Sequence, residues 1–213
     1  MDFVPSLPVL AAYVVAVLVL TFTPGPDMTL FLGKALRQGR REGMAAMFGA
    51  MTGSAIHTML VALGLSALLA ASATAFFVLK VVGALYLLWL AVDAVRNGSA
   101  LNVDTSIVAR RETAVAAWAK GLGVNLLNPK VIMFFVTFLP QFVSAGDPHA
   151  TGKLIFLGVV FVALAAPICA LMIAFAARLS AALRRSPRVM RAIDWLFAGV
   201  FGAFAVRLIA ARQ

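Results

Sequence analysis

Two short polar segments that contain proline interrupt apolar stretches at matching places in the two halves of the chain. The first reads Thr-Pro-Gly-Pro-Asp at residues 23–27, and the second reads Asn-Pro-Lys at residues 128–130. In lipid, every backbone N–H and C=O group needs a partner, so a broken spanning helix is expected only where it lines a polar cavity. Paired breaks in the two halves of a chain are typical of the binding site of a repeat-built transporter.

The backbone chemistry of these segments suits a zwitterionic solute. Proline has no N–H and clashes with the carbonyl four residues earlier, so Pro24 should free the carbonyl of Leu20, and Pro129 that of Asn125. Freed carbonyls attract an ammonium group, whereas the N–H groups that open the following helix attract a carboxylate. We therefore predict a substrate and transport site formed by Thr23, Pro24, Gly25, Pro26, Asp27, Asn125, Asn128, Pro129 and Lys130.

Two charged residues follow the breaks, and several roles are open for each. A carboxylate at membrane depth usually faces a cavity or a partner. Asp27 is a candidate to hold a substrate ammonium or to carry a coupling proton, and the alternative is a cap for the helix that it begins. Lys130 is a candidate to pair with Asp27 or to bind a carboxylate, and the alternative is that it extends to the membrane surface.

Other residues within the apolar stretches have weaker signals. His57 and Tyr86 are possible proton or substrate contacts, with interhelical hydrogen bonding and packing as the respective alternatives. Small residues allow close helix contact in membranes, and we assign this packing role to Gly49, Gly53, Gly83 and Gly199. Pro167 should kink the fifth apolar stretch, and Cys169 should serve as a small packing residue.

The composition identifies the elements that must position these residues. The chain of 213 residues is 63% hydrophobic and 12% charged, with a mean hydropathy of +1.01, and it exceeds the apolar share of soluble domains. A helix needs about 20 apolar residues to cross a bilayer. Six stretches have this length, and we predict an all-α polytopic membrane protein with helices at about 9–32, 43–70, 74–95, 118–142, 154–177 and 192–210.

The basic residues set the orientation of these helices. Most of the 18 Lys and Arg residues lie in the connections after the first, third and fifth stretches. Loops rich in Lys and Arg stay in the cytoplasm, so both termini should lie outside and the two halves should run in opposite senses. We predict one transmembrane domain over 1–213, with inverted three-helix repeats at about 9–95 and 118–210 and a cytoplasmic linker at about 96–117.

The sequence argues against several other classes of protein. The net charge of +10 is explained by the loop pattern, so we expect no nucleic-acid partner. The chain has no phosphate-binding loop, no dinucleotide fingerprint and no His/Cys cluster with metal-ligand spacing. We therefore expect no metal and no cofactor. An enzyme would need at least two convergent acid, base or nucleophilic groups, and the candidates here are scattered.

The chain resembles the LysE/RhtB family of bacterial amino-acid exporters, the LysE-type translocators. The resemblance rests on residues 23–27, on Gly39 and Gly43 before a glycine-rich second helix, on Lys-Val-Val-Gly-Ala-Leu-Tyr-Leu at 80–87 and on Asn-Leu-Leu-Asn-Pro-Lys at 125–130. It covers nearly the whole chain. It implies a secondary transporter in the inner (plasma) membrane that exports amino acids or derivatives, driven by the proton-motive force. With the orientation given by the basic residues, both termini are expected in the periplasm.

The family includes exporters of basic and of neutral amino acids. Because few acidic residues lie at membrane depth, we expect a neutral or small hydroxylated amino acid or derivative as substrate. A basic amino acid or a cation is the alternative within transport, and a structural or assembly membrane protein is the alternative from another class. The expected partners are the amino acid and membrane lipid, and homo-oligomerisation is left open by the sequence.

Overall fold

The described part of the chain is built of helices. The structure is a computed structural model that describes residues 4–71, 74, 78, 81–82, 85, 88–89, 92, 95–96, 112–143, 147–178, 181 and 186–210. Within these residues there is no β-strand, and the all-α class is confirmed. Most of the predicted third helix at 74–95, including Gly83 and Tyr86, and most of the linker lie outside the described residues.

The helices follow the predicted apolar stretches with shifted ends. In chain order they are α1 (Leu7–Phe22), α2 (Pro26–Arg37), α3 (Arg40–Ala71), α4 (Ala114–Leu127), α5 (Pro129–Met133), α6 (Ala150–Ala174) and α7 (Pro187–Ala210). After α5 the chain continues through a π-helical turn, Phe134–Phe138, and a 3₁₀ turn, Leu139–Phe142. The predicted helices at 9–32 and 118–142 are each divided into two parts.

Among the described residues, two unbroken helices are long and apolar enough to cross a membrane. They are Arg40–Gly64 within α3 and Ala150–Ala174, with mean hydropathies of 1.4 and 2.8. Two bent pairs meet the same requirements when each pair is taken as one span. Leu7–Phe22 and Pro26–Arg37 meet at 51°, and Ala114–Leu127 and Pro129–Phe142 meet at 55°. We call these pairs the first and second broken helices.

The first broken helix extends further than its predicted end at residue 32. Met28, Phe31 and Leu32 bury one face of α2, and the helix continues to Arg37. The turn into α3 uses Gly39, whose φ of 116° favours glycine. Lys34, expected in a cytoplasmic loop, instead lies in the last turn of α2 and is 7% exposed.

The second broken helix begins earlier than predicted. The linker was expected to reach residue 117, but α4 starts at Ala114 because Thr113 is its N-cap. The Thr113 side chain accepts a hydrogen bond from the N–H of Ala116 at 3.2 Å. This bond satisfies one of the free N–H groups of the first turn.

Glycines bring α3 close to α4, which form the most extensive helix contact of the described chain. A Cβ atom added at Gly49 would overlap the carbonyl oxygen of Trp118, and one added at Gly121 would overlap that of Ala46. A Cβ atom at Gly53 would overlap the Asn125 carboxamide. The contact therefore places Asn125, which precedes the second break, directly against α3.

Gly199 differs from the glycines of α3. A Cβ atom at this position in α7 would meet no heavy atom of the described chain within 4 Å, and the residue is exposed. The structure thus places Gly49 and Gly53 at a close helix contact and Gly199 on an open surface.

An aromatic cluster holds the later part of the second broken helix. Phe134, Phe135 and Phe138 are fully buried, and they contact Phe161 of α6 and Phe201 of α7 at ring-centroid distances of 5.1 to 6.5 Å. These buried aromatic contacts anchor the later half of the broken helix against α6 and α7.

Candidate transport site

The two breaks meet at one small cavity. Its walls include Thr23, Gly25 and Asp27 from the first break, and Asn125 and Lys130 from the second. Helices α3 and α6 complete the walls. The free volume is about 50 Å³, which is room for a few water-sized groups. Residues of the two breaks are thus neighbours in space, although they lie more than 100 positions apart in the sequence.

Lys130 extends from the second break to the backbone of the first. Its ammonium nitrogen donates to the carbonyl of Thr23 at 2.8 Å and lies 3.5 Å from the carbonyl of Leu20, the one that Pro24 was expected to free. A Cβ atom at Gly25 would meet the Lys130 Nζ at 2.9 Å, so glycine leaves room for this contact. The lysine therefore reaches across to the first break and not to a membrane surface.

Asp27 is hydrogen-bonded to a side chain from the other broken helix. Its Oδ2 accepts from the Asn125 Nδ2 at 2.8 Å, whereas its Oδ1 is buried with no hydrogen-bond partner among the described residues. Gly25 occupies the N-cap position of α2, so Asp27 does not have the capping role. Among the described side chains, Asp27 and Lys130 face one cavity without forming a direct ion pair.

The second break is stabilised locally by its own residues. The Asn128 Oδ1 accepts from the N–H of Lys130 at 3.1 Å and thereby caps α5. The carbonyl of Asn125, which Pro129 deprives of its helical partner, accepts from the N–H of Asn128 at 3.1 Å. The Nε2 of His57 lies 3.4 Å from the same carbonyl. The second break therefore leaves little of its backbone available to a ligand.

The remaining predicted residues lie at different distances from this site. His57 stacks on Phe135 with ring centroids 5.8 Å apart and contacts the second break behind the cavity wall. Pro24 is buried, whereas Pro26 and Pro129 are exposed on the outer side of each break.

Sequence reasoning missed Ser54 and assigned Cys169 only to packing. Both residues line the cavity and are buried, with exposed fractions of 1% and 5%. The available signal for Ser54 was its place beside Gly53 in an apolar helix, since the glycine marks the helix face that meets a neighbour. Cys169 carries the chain's single thiol, and the fold places it beside Asp27 and Lys130 in the cavity wall.

An ion-pair network joins the two broken helices at the far end of α2. Glu112 bonds the ammonium groups of Lys34 at 2.8 Å and Lys120 at 2.6 Å. Hydrogen bonds from Lys120 and Lys34 lower the pKa of the Glu112 carboxyl from 4.5 to about 2. The chain segment before α4 is thereby fastened to α2.

The described residues hold no group of three or more His, Cys, Asp or Glu side chains placed to bind a metal ion. The cavity is lined by one carboxylate, one ammonium group, one carboxamide and three hydroxyl-bearing residues. This set of groups suits a small polar organic solute.

Comparison with known proteins agrees with this chemistry. A family model described as LysE type translocator matches residues 18–212. The chain belongs to the LysE-type translocator family. A membrane protein of Vibrio cholerae with no assigned activity is 32% identical to this translocator over 201 residues, which is 94% of this chain and 96% of the relative.

Two relatives of this translocator carry functional names. It is 30% identical over 202 residues to the homoserine/homoserine lactone efflux protein of Salmonella typhimurium, and the alignment covers 95% of this chain and 96% of the relative. It is 26% identical over 204 residues to the leucine efflux protein of Enterobacter sp., with 92% of each chain covered. No solved structure matches the chain.

Proposed function

We propose that this translocator exports a neutral amino acid across the bacterial inner membrane, driven by the proton-motive force. The relatives named for efflux of homoserine, homoserine lactone and leucine support an amino-acid substrate. The observation that carries the proposal is the placement of Asp27 and Lys130 on one cavity with opposite charges and no direct bond between them.

A zwitterion complements the free bonding capacity of these two side chains. The Asp27 Oδ1 has no partner among the described residues and accepts the substrate ammonium. An ammonium group has three N–H donors. The Lys130 Nζ directs two of them to the carbonyls of Leu20 and Thr23, so the third is free for the substrate carboxylate. In this arrangement each buried charge is satisfied only when the substrate is present.

The charges of the cavity side chains favour a neutral amino acid over a basic one as substrate. A basic amino acid brings a second cation, and Asp27 is the single acidic residue among the described residues that line the cavity. Glu112, at the far end of α2, already bonds two lysines. A neutral zwitterion leaves the site with no net charge.

The cavity must widen before a whole amino acid can enter. About 50 Å³ holds a few water-sized groups, so the structure corresponds to a closed conformation in this proposal. The two bends of 51° and 55° are the sites where half-helices can move against each other. Alternating access by two inverted three-helix repeats, with both termini in the periplasm, is the corresponding architecture.

The proposal is tested with the full chain reconstituted in proteoliposomes. Vesicles loaded with unlabelled leucine, threonine, homoserine or lysine are diluted into labelled amino acid, and counterflow is measured. We expect exchange of neutral amino acids and little of lysine. The Lys153→Gln variant removes a charge that pairs with Asp147 outside the site and should exchange at the wild-type rate. Counterflow of no amino acid above that of empty vesicles would refute the proposed function.

The Asp27→Asn variant separates the two proposed roles of this carboxylate. If Asp27 carries the coupling proton, the variant should still exchange substrate but lose accumulation driven by an imposed pH gradient. If Asp27 binds the substrate ammonium, both activities should fall together. Full gradient-driven accumulation by the variant would exclude the proton-carrier role.

A further inference from the structure

Hydroxyl groups within the described helices follow a common pattern. Five threonine hydroxyls donate to the carbonyl four residues earlier, at 2.7 to 2.9 Å: Thr21, Thr23, Thr52, Thr58 and Thr137. This bond satisfies the hydroxyl within its own helix. Because its O–H already donates to the backbone, such a hydroxyl does not need a solute as its hydrogen-bond acceptor.

Ser54 departs from this pattern. It lies between Thr52 and Thr58 on α3 and is 1% exposed, yet its hydroxyl has no hydrogen-bond partner among the described residues. A buried hydroxyl without a partner costs about 1–3 kcal/mol, so an unpaired one at a cavity wall indicates a missing partner. The cavity that Ser54 lines also contains Asp27.

A second unpaired oxygen belongs to Asn125, which packs against Gly53, the residue before Ser54. The Asn125 Nδ2 donates to Asp27, whereas its Oδ1 is buried and has no partner in the described part of the chain. This oxygen packs against α3 at Gly53, since a Cβ atom there would overlap it. The residue next to Gly53 is Ser54, and both Ser54 and Asn125 line the cavity.

We propose that the Ser54 hydroxyl and the Asn125 Oδ1 form a subsite that binds a hydroxyl group on the substrate side chain. This inference rests on the proposed function, because it concerns the side chain of an amino acid held by Asp27 and Lys130. A hydroxyl group donates one hydrogen bond and accepts others, so it donates to the Asn125 Oδ1 and accepts from Ser54. The subsite therefore matches a hydroxyl with one acceptor and one donor.

This geometry makes the site selective against apolar side chains of equal size. A methyl group in place of the hydroxyl would leave both Ser54 and Asn125 unpaired in a closed cavity. Sites built to bond a hydroxyl reject the analogue without it more strongly than apolar pockets reject an added hydroxyl. The translocator should therefore prefer threonine to valine, or homoserine to norvaline, according to where on the side chain the hydroxyl lies.

The test measures kcat/KM in proteoliposomes for these two pairs of amino acids, in the wild type and in Ser54→Ala. Within each pair the amino acids have nearly the same shape and differ by a hydroxyl against a methyl group. We expect a wild-type preference for the hydroxylated member of at least one pair. Ser54→Ala should lower that preference about tenfold, the effect of one hydrogen bond, while flux of the apolar member is retained.

Thr58→Val is the matched control. It removes a buried hydroxyl from the same helix one turn later, but that hydroxyl already bonds the carbonyl of Ser54 at 2.9 Å. The preference should not change in this variant. Retained flux of valine or norvaline in Ser54→Ala shows that the variant is folded.

Each other outcome is decisive. A wild type without preference in either pair, or a preference that Ser54→Ala leaves intact, would overturn the subsite. The second result is also expected if a resident water satisfies Ser54 permanently. Both results leave the proposed function standing, because amino acids are still exchanged. Absence of all exchange in the wild type would instead refute the proposed function.

Discussion

The two breaks have similar sequences but contribute different chemistry to the site. The first break spans Thr23 to Gly25 and offers backbone carbonyls, which the lysine of the other break contacts at 2.8 and 3.5 Å. The second break is limited to Asn128, closes its own backbone with local hydrogen bonds, and offers side chains. One break thus acts as an acceptor surface and the other as the source of donors.

The charges that follow the breaks are also unequal in their local setting. Asp27 lies in the first turn of α2, where the helix dipole favours a negative charge, whereas Lys130 lies in the first turn of α5, where the dipole opposes a positive one. The carbonyls of the first break offset this disadvantage. The two halves of the chain can therefore form one asymmetric site, with an acid from one half and a base from the other.

The largest effect is expected from Lys130→Met, which removes the side chain that joins the two breaks. The variant loses charged hydrogen bonds worth about 1.5–3 kcal/mol each, and the substrate carboxylate loses its partner. Counterflow of neutral amino acids should fall about 100-fold or more. Lys120→Met, which removes an exposed ammonium from the same broken helix, is the control and should stay within about twofold of wild type. Equal losses in both variants would contradict the link between the breaks.

A smaller effect is expected where the helix contact sets the position of the second break. Gly121→Ala would push a methyl group into the carbonyl of Ala46 and should lower the free energy of unfolding by about 1–3 kcal/mol. Denaturation in micelles measures this change. Gly123→Ala, where a Cβ atom meets no described heavy atom within 4 Å, should be neutral or stabilising by about 0.5–1 kcal/mol. Similar values for the two variants would show that this contact is not close.

The local difference between the breaks is tested by removing one polar group from each. Asn128→Ala deletes the cap on the N–H of Lys130 and should lower the free energy of unfolding by about 1 kcal/mol. Thr23→Val deletes a hydroxyl that bonds the carbonyl of Val19. That carbonyl still accepts the N–H of residue 23, so the loss should be no more than about 0.5 kcal/mol, the low end for one hydrogen bond. A larger loss at Thr23 would reverse the comparison.

The smallest effect is expected at the ion-pair network, where the two broken helices are joined away from the cavity. Because the pKa of Glu112 is lowered from 4.5 to about 2, its carboxylate stabilises the fold above pH 4.5, and this contribution is lost as the pH falls towards 2. At neutral pH, the free energy of unfolding of the wild type should be higher than that of Glu112→Gln by up to about 1 kcal/mol. This difference should disappear near pH 2. A difference that stays constant over this range would contradict the prediction.

The sequence predicted the helical class and the places of both breaks, because proline acts on the backbone within four residues. At Pro167 it predicted a kink and no break. Pro167 lies inside the unbroken helix Ala150–Ala174, in contrast to Pro24 and Pro129. The neighbours of Pro167, Ala166 and Ile168, are apolar, whereas Thr23 precedes Pro24, and Asn128 and Lys130 flank Pro129.

The positions of individual polar groups were beyond the sequence. Ser54 looks like any small residue of an apolar helix, and only the tertiary packing places it in the cavity wall, with a buried hydroxyl that has no partner among the described residues. Lys34 was expected in a loop because charge usually marks a helix end. Its burial depends on Glu112, which is 78 residues away in sequence.

Hydropathy and proline stereochemistry are properties of neighbouring residues, so the amino-acid order alone determined where helices form and where two of them are interrupted. Which donor meets a freed carbonyl depends on helices that approach from distant parts of the chain. Lys130 bonds the carbonyl of Thr23, which is 107 positions away in the sequence, because glycines let α3 and α4 come close enough to bring the two breaks together. The sequence places an acid in one half and a base in the other, and tertiary packing decided that both line the same cavity.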